Sequence, residues 1–553
     1  TDDTTGTKMD DPAARMAEYT ARNAANLDWL DRAFAAAKLY STATVVITVA
    51  AVNDAPVLTT QQVSLAEDTT LSTPLAATQP APPRVWRIGT LELKPCELPQ
   101  PHSGLSTPAW CAPFDVPEDR AHPKGRHITL RVAVVRSSAQ VPGTDMVAFI
   151  AGGPGQSAGE SYPAIAGAMA PLLAHRNVLL LDQRGTGGSH PLSCRDDEAG
   201  GADETHAFDT EAIRRETRTC LDQLSREADV RFYTTTDAVA DLEDVRRALG
   251  SPGFDLFGVS YGTRVAQQYA MRHPEGVRTL ILDGIVPNGL VLGDDFAVNL
   301  DAALKAQFAR CHENAACRER FNDPYQTLYQ LRDALRANPH KVTFRDPLDY
   351  SSVQRVLSEF SLATVVRMFA YSPETAALLP LSIDAAAHGD VGPLLGQAKQ
   401  LTGDLGDTLD GGMQYSVICS EDADLMQPRP QDKDTILGDT MTGVIKAACS
   451  VWPRGARPAD FRQPLKSDVP ALLMSGEFDP VTPPRYGDDV VRGLPNGRHL
   501  VLKGQGHSVV ARGCMPRLLE RFIDDADAKG LDASCLDRLG PLPVFTGFNG
   551  ATP

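Results

Sequence analysis

The sequence predicts an α/β protein in which a mostly parallel central sheet carries helices on both faces. From about residue 84 onwards, apolar stretches of strand length alternate with amphipathic stretches of helical periodicity. Strands that alternate with helices pair in parallel, because each helix returns the chain to the same end of the sheet. Two of the strands run into glycine-rich turns, "GGPG" and "GVSYG", at the end of the sheet where such folds bind ligands.

The strands of the predicted sheet follow one another along the chain. Residues 127–136 alternate polar and apolar side chains, as an antiparallel strand with one solvated face does. The later strands lie within residues 145–155, 177–189, 254–260, 277–287, 469–480 and 498–508. Between them, residues 234–250 predict an amphipathic helix that Thr236 or Asp237 can cap and Gly250 can end.

Changes in composition divide the chain into four segments. Residues 1–83 pass from an Ala-rich helical pattern through Thr/Val-rich strands to a Pro-rich linker, and a short piece resembles the junction between cadherin-like repeats. We interpret these residues as an appendage or linker, because that piece is too short for a complete sandwich domain. Residues 84–287 and 469–553 carry the sheet. Residues 288–468 are helix-rich, and inserts at the carboxyl ends of parallel strands cover the ligand crevice, so we predict a helical cap or lid.

The composition excludes several classes of partner and cofactor. The formal net charge is −17, whereas nucleic-acid binding requires clustered Lys and Arg. No apolar run approaches the ~18 residues that a membrane helix requires, so we expect no transmembrane segment. No leader of basic and then apolar residues opens the sequence, so we expect no signal peptide within it. No cysteine and histidine cluster has the spacing of zinc ligands, and we expect neither a metal nor an organic cofactor.

The cysteines indicate an exported protein. Their number is even and they are dispersed, which favours disulfides formed in an oxidising compartment. Pairing each cysteine with its neighbour would close five short loops, but the sequence leaves the connectivity open, and free buried thiols are the alternative. The ten residues are Cys96, Cys111, Cys194, Cys220, Cys311, Cys317, Cys419, Cys449, Cys514 and Cys535.

Ser260 is the candidate nucleophile. It lies at the centre of a Gly-x-Ser-x-Gly pattern, with a predicted strand before it and a predicted helix after it. The small residues Gly258 and Gly262 permit the tight turn that projects a serine side chain out of a sheet. A serine hydroxyl is a poor nucleophile unless a base accepts its proton, so the sequence must also supply a base.

His507 is the candidate base and Asp479 the candidate acid that orients it. His507 is the last histidine of the chain, and it follows the last strand in a glycine-rich loop. In this architecture the acid precedes the base along the chain, and Asp479 follows the penultimate strand. Its role would be to fix the imidazole tautomer and stabilise the imidazolium. Glu477, nearer the strand end, and Asp283, after an earlier strand, are the alternatives.

A backbone oxyanion hole is predicted beside the nucleophile. The stretch "AGGPG", residues 151–155, follows an early strand, and its glycines allow backbone amides to approach a substrate. The expected donors are the N–H groups of Gly153 and of Tyr261, the residue after the nucleophile. The later stretch "DQRGTGGS" lacks the spacing of a phosphate loop, and we expect Asp182 and Arg184 to form an ion pair that shapes this loop.

These motifs together resemble a known group of enzymes. "GGPG", "LDQRGTGGS", "GVSYGT", "SGEFDPVTPP" and "GQGHS", in this order, look like the proline iminopeptidase and tripeptidyl aminopeptidase group of α/β-hydrolases. The opening "GRHITLRVAVVR" and the final cysteine-containing segment resemble the exported bacterial tripeptidyl aminopeptidase branch. The resemblance covers roughly residues 85–540. Ala151 departs from the pattern, because the iminopeptidases usually carry His before GGPG, so the pocket near the oxyanion hole differs.

The resemblance implies that the protein removes N-terminal residues from peptides through an α/β-hydrolase fold. Such an enzyme recognises a free α-ammonium group with carboxylates of its cap, and "VICSEDAD" offers Glu421 and Asp422 for that role. A solvated acidic turn is the alternative interpretation of these two residues. The same triad also serves carboxylesterases and amidases acting on small acyl substrates. A non-catalytic adhesion protein is the alternative that the cadherin-like piece suggests.

Overall fold

A ten-stranded mixed sheet organises the protein in its computed structural model. The structure describes residues 85–101, 103–194, 209–346 and 350–547, and within them it leaves the side chains of residues 402–407 undescribed. The predicted N-terminal appendage, residues 1–83, lies outside the described residues.

The strands of the described chain have the following bounds: β1 (Trp86–Ile88), β2 (Leu91–Pro99), β3 (Ser106–Pro117), β4 (His127–Val135), β5 (Met146–Ile150), β6 (Asn177–Leu181), β7 (Phe254–Val259), β8 (Val277–Asp283), β9 (His340–Arg345), β10 (Ser352–Leu357), β11 (Ala471–Gly476) and β12 (Gly497–Leu502). The large sheet has the order β1-β2-β3-β4-β6-β5-β7-β8-β11-β12. Antiparallel pairs join β1 through β4 to β6, and parallel pairs join β6 through to β12. The predicted sheet is confirmed, and its antiparallel edge extends over three strands, β1 to β3, that the sequence did not predict.

The helices of the described chain are α1 (Ala158–Leu173), α2 (Thr210–Leu224), α3 (Thr235–Leu249), α4 (Tyr261–Arg272), α5 (Phe296–Glu313), α6 (Ala315–Phe321), α7 (Pro324–Ala337), α8 (Glu359–Phe369), α9 (Pro373–Ala376), α10 (Leu379–Ala387), α11 (Gly392–Thr408), α12 (Gly411–Glu421), α13 (Thr440–Cys449), α14 (Pro484–Val491) and α15 (Met515–Asp525). The predicted helix over residues 234–250 forms as α3. Its N-cap is Thr234, in a reciprocal capping box with Asp237, rather than Thr236, and Gly250 ends it in the left-handed conformation.

Two apolar cores cover the two faces of the sheet. Successive residues of β5 alternate between them, since Met146 and Ala148 belong to one core and Val147 and Phe149 to the other. All five residues of β5 are buried, as expected of a strand with helices on both faces. Because both faces of the sheet are covered, polar groups can gather at the carboxyl ends of the parallel strands.

The chain between β8 and β11 forms a helical insert with a core of its own. Helices α5 to α13 lie in this stretch, and residues such as Leu304, Phe308, Leu362 and Val366 pack together there. The insert also contains the antiparallel pair β9–β10, which the helix-rich pattern did not predict. No helix in the described part of the chain is long and apolar enough to cross a membrane.

Five disulfides join each cysteine to its neighbour along the chain. The bonds are Cys96–Cys111, Cys194–Cys220, Cys311–Cys317, Cys419–Cys449 and Cys514–Cys535. The structure thus selects the pairing of neighbours from the connectivities that the sequence left open. Disulfides in this number are consistent with an oxidising environment and with export.

The predicted ion pair between Asp182 and Arg184 was wrong. Arg184 is fully buried and donates to both carboxylate oxygens of Asp241 in α3, at 2.6 and 2.7 Å. Asp182 accepts instead from Arg131 of β4, at 2.6 Å, and from Ser157 before α1, at 2.8 Å. Each charge is therefore paired with residues of other elements rather than with the other charge of this loop.

The buried pair predicts a large loss of stability for one substitution. Arg184→Met leaves the buried Asp241 with the partly exposed Arg120 as its counter-charge. We expect the free energy of unfolding to fall by about 3 kcal/mol. Arg87→Met is the matched control, because the Arg87–Glu92 pair is exposed and is worth about 0–1 kcal/mol. Urea unfolding checks both, and an equal effect of the two substitutions would contradict the expectation.

Candidate active site

Ser260 occupies a strained turn between β7 and α4. Its φ of 55° is unusual for a residue with a side chain, and its N–H donates to the carbonyl oxygen of Asp283 at 2.8 Å. The backbones on either side approach too closely for side chains. A Cβ on Gly258 would lie 2.4 Å from the carbonyl oxygen of Gly262, and a Cβ on Gly262 would lie 2.3 Å from that of Ile150. The glycines of the motif are therefore structural requirements of this turn.

His507 and Asp479 are in direct contact. The distance from His507 Nδ1 to Asp479 Oδ2 is 2.7 Å, and Asp479 is 2% exposed. Asp479 also accepts from the N–H groups of Val481 and Thr482, at 2.9 and 2.7 Å, and from the Thr482 hydroxyl at 2.8 Å. Burial alone would raise the pKa of Asp479, but the charge of His507 and these donors hold it below its ordinary value.

The contact assigns a tautomer to His507. An ionised carboxylate only accepts, so Nδ1 carries the proton and Nε2 keeps its lone pair for another proton. Burial would lower the pKa of His507, but the charge and hydrogen bond of Asp479, with the charge of Asp283, raise it above its ordinary value. The imidazole is arranged to accept a proton at Nε2 and to be stabilised once it has done so.

Asp283, the alternative acid, has a different position. Its buried carboxylate accepts from the N–H groups of Val509 and Val510, at 2.9 and 3.0 Å, and from the Ser508 hydroxyl at 3.0 Å. Burial raises its pKa, against the effect of these donors. Asp283 thus anchors the turn that follows His507 and leaves the contact with the imidazole to Asp479. Glu477, the other alternative, accepts from the N–H of Gly504 at 2.8 Å.

The imidazole of His507 reaches the end of β8, the strand beside β7, which the nucleophile follows. Ser260 follows β7, and a Cβ on Gly284, the residue after β8, would lie 2.9 Å from His507 Cε1. Within the described residues, no hydrogen bond joins Ser260 Oγ to His507. Contacts of this kind tighten when a substrate binds.

Gly153 and Tyr261, the predicted backbone donors, adjoin the nucleophile turn, since Tyr261 follows Ser260 and a Cβ on Gly152 would lie 3.0 Å from Ser260 Cβ. Gly153 is exposed while its neighbours Gly152 and Pro154 are buried, and its φ of 105° is one that a residue with a side chain rarely adopts. Tyr261 is the first residue of α4, and its N–H has no acceptor inside the helix. The N-terminus of α4 adds a partial positive charge at this point. An oxyanion between the two amides would be stabilised by both.

Glu421 is connected to the nucleophile turn by hydrogen bonds. The Tyr261 hydroxyl lies 2.6 Å from Thr235 Oγ1, which donates to Glu421 Oε2 at 2.9 Å, and the N–H of Thr235 donates to Glu421 Oε1 at 2.7 Å. Burial raises the pKa of Glu421 to about 7, with Asp422 adding to the rise and Arg264 and Thr235 opposing it. Glu421 is 1% exposed, so its carboxyl group is shielded from solvent.

The geometry argues against the predicted ammonium-binding role of Asp422. Its two oxygens accept from Arg264 and Arg462, both at 2.8 Å, and the residue has no exposed surface. A carboxylate that two guanidinium groups already neutralise has no charge to offer a substrate ammonium. Glu421 differs, because its nearest cation is Arg264 at 3.9 Å.

Sequence reasoning missed the residues that support the candidate site. Thr482 and Thr235 hold the two carboxylates, and Tyr371 of the insert packs against His507. Only Thr482 has a local signal, since an aspartate three residues before a threonine often accepts from its N–H. Thr235 and Tyr371 lie far from their partners in sequence.

The chain is similar in sequence to several known hydrolases and peptidases. The profile of a family described as alpha/beta hydrolase fold matches residues 146–511. The serine protease Hip1 of Mycobacterium tuberculosis is 25% identical over 490 residues, which are 80% of this chain and 91% of that protein. A tripeptidyl aminopeptidase of Streptomyces coelicolor is 27% identical over 33% of this chain and 36% of its own length. A proline iminopeptidase of Neisseria gonorrhoeae is 32% identical over 25% of this chain and 32% of its own.

The nucleophile turn predicts opposite effects for two glycine substitutions. Gly262→Ala places a Cβ against the backbone of Ile150, and we expect the free energy of unfolding to fall by about 3 kcal/mol. Gly443→Ala in α13 meets no atom within 4 Å and is the matched control, which we expect to gain about 0.5–1 kcal/mol. Thermal unfolding measures both, and a tolerated Gly262→Ala would contradict the geometry.

The contact between Asp479 and His507 predicts a change in pH dependence. The ionised carboxylate stabilises the imidazolium, so Asp479→Asn should lower the pKa of His507 and move the acid limb of kcat/KM to lower pH. We also expect kcat to fall by about ten-thousandfold, because the tautomer is no longer held. Glu477→Gln is the control, since Glu477 does not contact His507, and it should keep the wild-type limb. An unmoved limb in Asp479→Asn would refute the assignment.

Proposed function

The chain belongs to the alpha/beta hydrolase fold family, and within that family we propose that it is an aminopeptidase of the tripeptidyl or prolyl type, cleaving N-terminal residues from peptides. It is a serine hydrolase with peptidase relatives.

The proposed reaction is an acyl transfer through a covalent intermediate. Ser260 Oγ attacks the scissile carbonyl while His507 Nε2 accepts the hydroxyl proton, and Asp479 stabilises the resulting imidazolium. The amides of Gly153 and Tyr261 stabilise the developing oxyanion. His507 then protonates the leaving amine, which departs as the shortened peptide. Water, deprotonated by His507, cleaves the acyl-enzyme and releases the N-terminal fragment.

One observation carries the catalytic half of this proposal. The 2.7 Å contact between His507 and Asp479 joins two residues that are 28 positions apart. Each of them follows a strand at the carboxyl edge of the sheet. The strained backbone of Ser260 at that edge supports the same assignment. The peptidase half is supported by the likeness to serine protease Hip1 over 91% of the length of that protein.

Glu421 is the proposed partner of the substrate α-ammonium. Glu421 is a buried carboxyl group whose pKa is about 7 and whose nearest cation, Arg264, is 3.9 Å away, and an arriving ammonium would favour its ionised form. Thr235 links the same carboxyl group to Tyr261, so binding of the ammonium would be coupled to the oxyanion hole. Asp422 is left out of this role because Arg264 and Arg462 already neutralise it.

The second candidate function is a carboxylesterase or amidase acting on small acyl groups. The triad and oxyanion hole would serve it equally well, because both reactions pass through the same tetrahedral intermediate. The closed, hydrogen-bonded state of Glu421 is the observation that favours this alternative.

We propose further that the protein is exported and acts in the bacterial periplasm or outside the cell. Its five disulfides support this. We also propose that residues 288–468 act as the cap over the site.

The two functions make different predictions for Glu421→Gln. If Glu421 binds the ammonium, KM for tripeptidyl and prolyl p-nitroanilides should rise by about tenfold, the loss of one charged contact, whereas short-chain p-nitrophenyl esters should be unaffected. If Glu421 only supports Tyr261, kcat should fall for both substrates alike. Steady-state kinetics separates the two outcomes. Thr235→Val is the matched variant, because it removes the link to Tyr261 and keeps the carboxylate.

The same assays decide between peptidase and esterase. We expect N-acetylation of the peptide substrate to abolish turnover, because the ammonium is lost. Ester turnover without any anilide turnover would refute the aminopeptidase proposal. Ser260→Ala is the control for both substrates, and a fluorophosphonate probe should label wild-type protein and not this variant. Failure of the folded wild type to react with the probe would favour a non-catalytic protein.

A further inference from the structure

We propose that Tyr371, a residue of the insert between β8 and β11, is a positioning residue for His507. The inference rests on the proposed function, since it takes His507 as the base. It adds that the insert is part of the catalytic apparatus, and not only a cover over it.

Tyr371 contacts His507 in two ways. Its carbonyl oxygen accepts from the backbone N–H of His507 at 2.7 Å. Its ring packs edge-on against the imidazole, with ring centroids 5.2 Å apart and an angle of 73° between the planes. The first contact holds the backbone of the base and the second holds its side chain.

The ring contact supplies a restraint that Asp479 lacks. Asp479 Oδ2 at 2.7 Å and Thr482 Oγ1 at 3.2 Å both lie at His507 Nδ1, so these contacts hold one edge of the imidazole and leave its faces without support. A second ring packed nearly perpendicular to the imidazole restrains it further, because turning of the imidazole would break the packing. With these contacts in place, the direction of the Nε2 lone pair is set.

The backbone of the insert lies close to that of the loop that carries His507, residues 505–512, here called the base loop. A Cβ on Gly506 would lie 2.2 Å from the carbonyl oxygen of Tyr371, so only glycine allows the contact. Five residues after His507, Arg512 forms an ion pair with Glu374 of α9, whose pKa this pair holds at about 2. The base loop is therefore joined to the insert on both sides of the imidazole.

The C-terminal segment, residues 541–545, also contacts this part of the insert. The N–H of Phe545 donates to the carbonyl oxygen of Ala377 at 3.0 Å, and Val544 and Phe545 pack against the Cys311–Cys317 disulfide. Pro541 lies against Gly504, just before the base loop. Residues 371–377 thus contact both the base loop and the C-terminal segment, and these contacts support the Tyr371 ring.

Substitution of Tyr371 tests the proposal with p-nitrophenyl esters, which make the result independent of peptide specificity. We expect Tyr371→Leu to lower kcat by about tenfold and to change KM by less than about twofold, while Tyr371→Phe retains kcat because it keeps the ring. Acylation and deacylation should slow together in stopped-flow measurements, since the base acts in both. Tyr350→Leu, at an exposed tyrosine of the insert, is the matched control.

A double mutant separates positioning from general stability. In the Asp479→Asn background the imidazole has already lost its orientation, so adding Tyr371→Leu should lower kcat by less than about twofold. Active-site titration normalises each rate to folded enzyme, and Tyr371→Met replaces the leucine variant if that variant does not fold. Unchanged kcat in Tyr371→Leu, or fully multiplicative losses in the double mutant, would overturn the inference. If His507→Ala leaves turnover intact, the proposed function itself fails.

Discussion

Asp283 joins the two halves of the candidate site, and the rest of its geometry depends on this residue. Its carbonyl oxygen accepts from the N–H of Ser260, and its carboxylate accepts from the turn at residues 508–510. The nucleophile and the turn after the base are therefore both hydrogen-bonded to one residue at the end of β8. A buried carboxylate without these donors would be costly, so the turn after His507 and the strand end stabilise each other. These hydrogen bonds to Asp283 fix the positions of Ser260 and His507 relative to each other without requiring a contact between their side chains.

The insert completes the site at two points. On the base side, Tyr371 packs against His507. On the oxyanion side, the N–H of Asp410 donates to the carbonyl oxygen of Gly155 at 2.9 Å, and the side chain of Leu409 lies against Gly153. Both edges of the crevice around Ser260 are thus built partly from the insert. Under the proposed function, substrate selection and catalysis would share these residues, so the core motifs alone would not specify the acyl group.

Sequence patterns could nominate the catalytic candidates because each follows a strand. Strand order and chain order together place Ser260, Asp479 and His507 at one edge of a parallel sheet. The errors arise where a charge has several partners within reach. Arg184 pairs with Asp241 of α3 instead of Asp182, and Asp422 is neutralised by two arginines, one of them from α4. The β9–β10 pair was missed for a related reason, because its exposed, polar strands lack the apolar period that indicates a strand.

The sequence by itself determined the alternating strands and helices, the glycines that the turn at Ser260 requires, and the order of nucleophile, acid and base. These features depend on neighbours along the chain, where periodicity and backbone sterics act directly. Only the tertiary structure decided the disulfide connectivity, the contact of Asp479 with His507, the burial of Glu421 and the contact of Tyr371 with His507. Each of these depends on which distant segments meet, and a buried charge or ring takes its role from the partners that the packed fold brings to it.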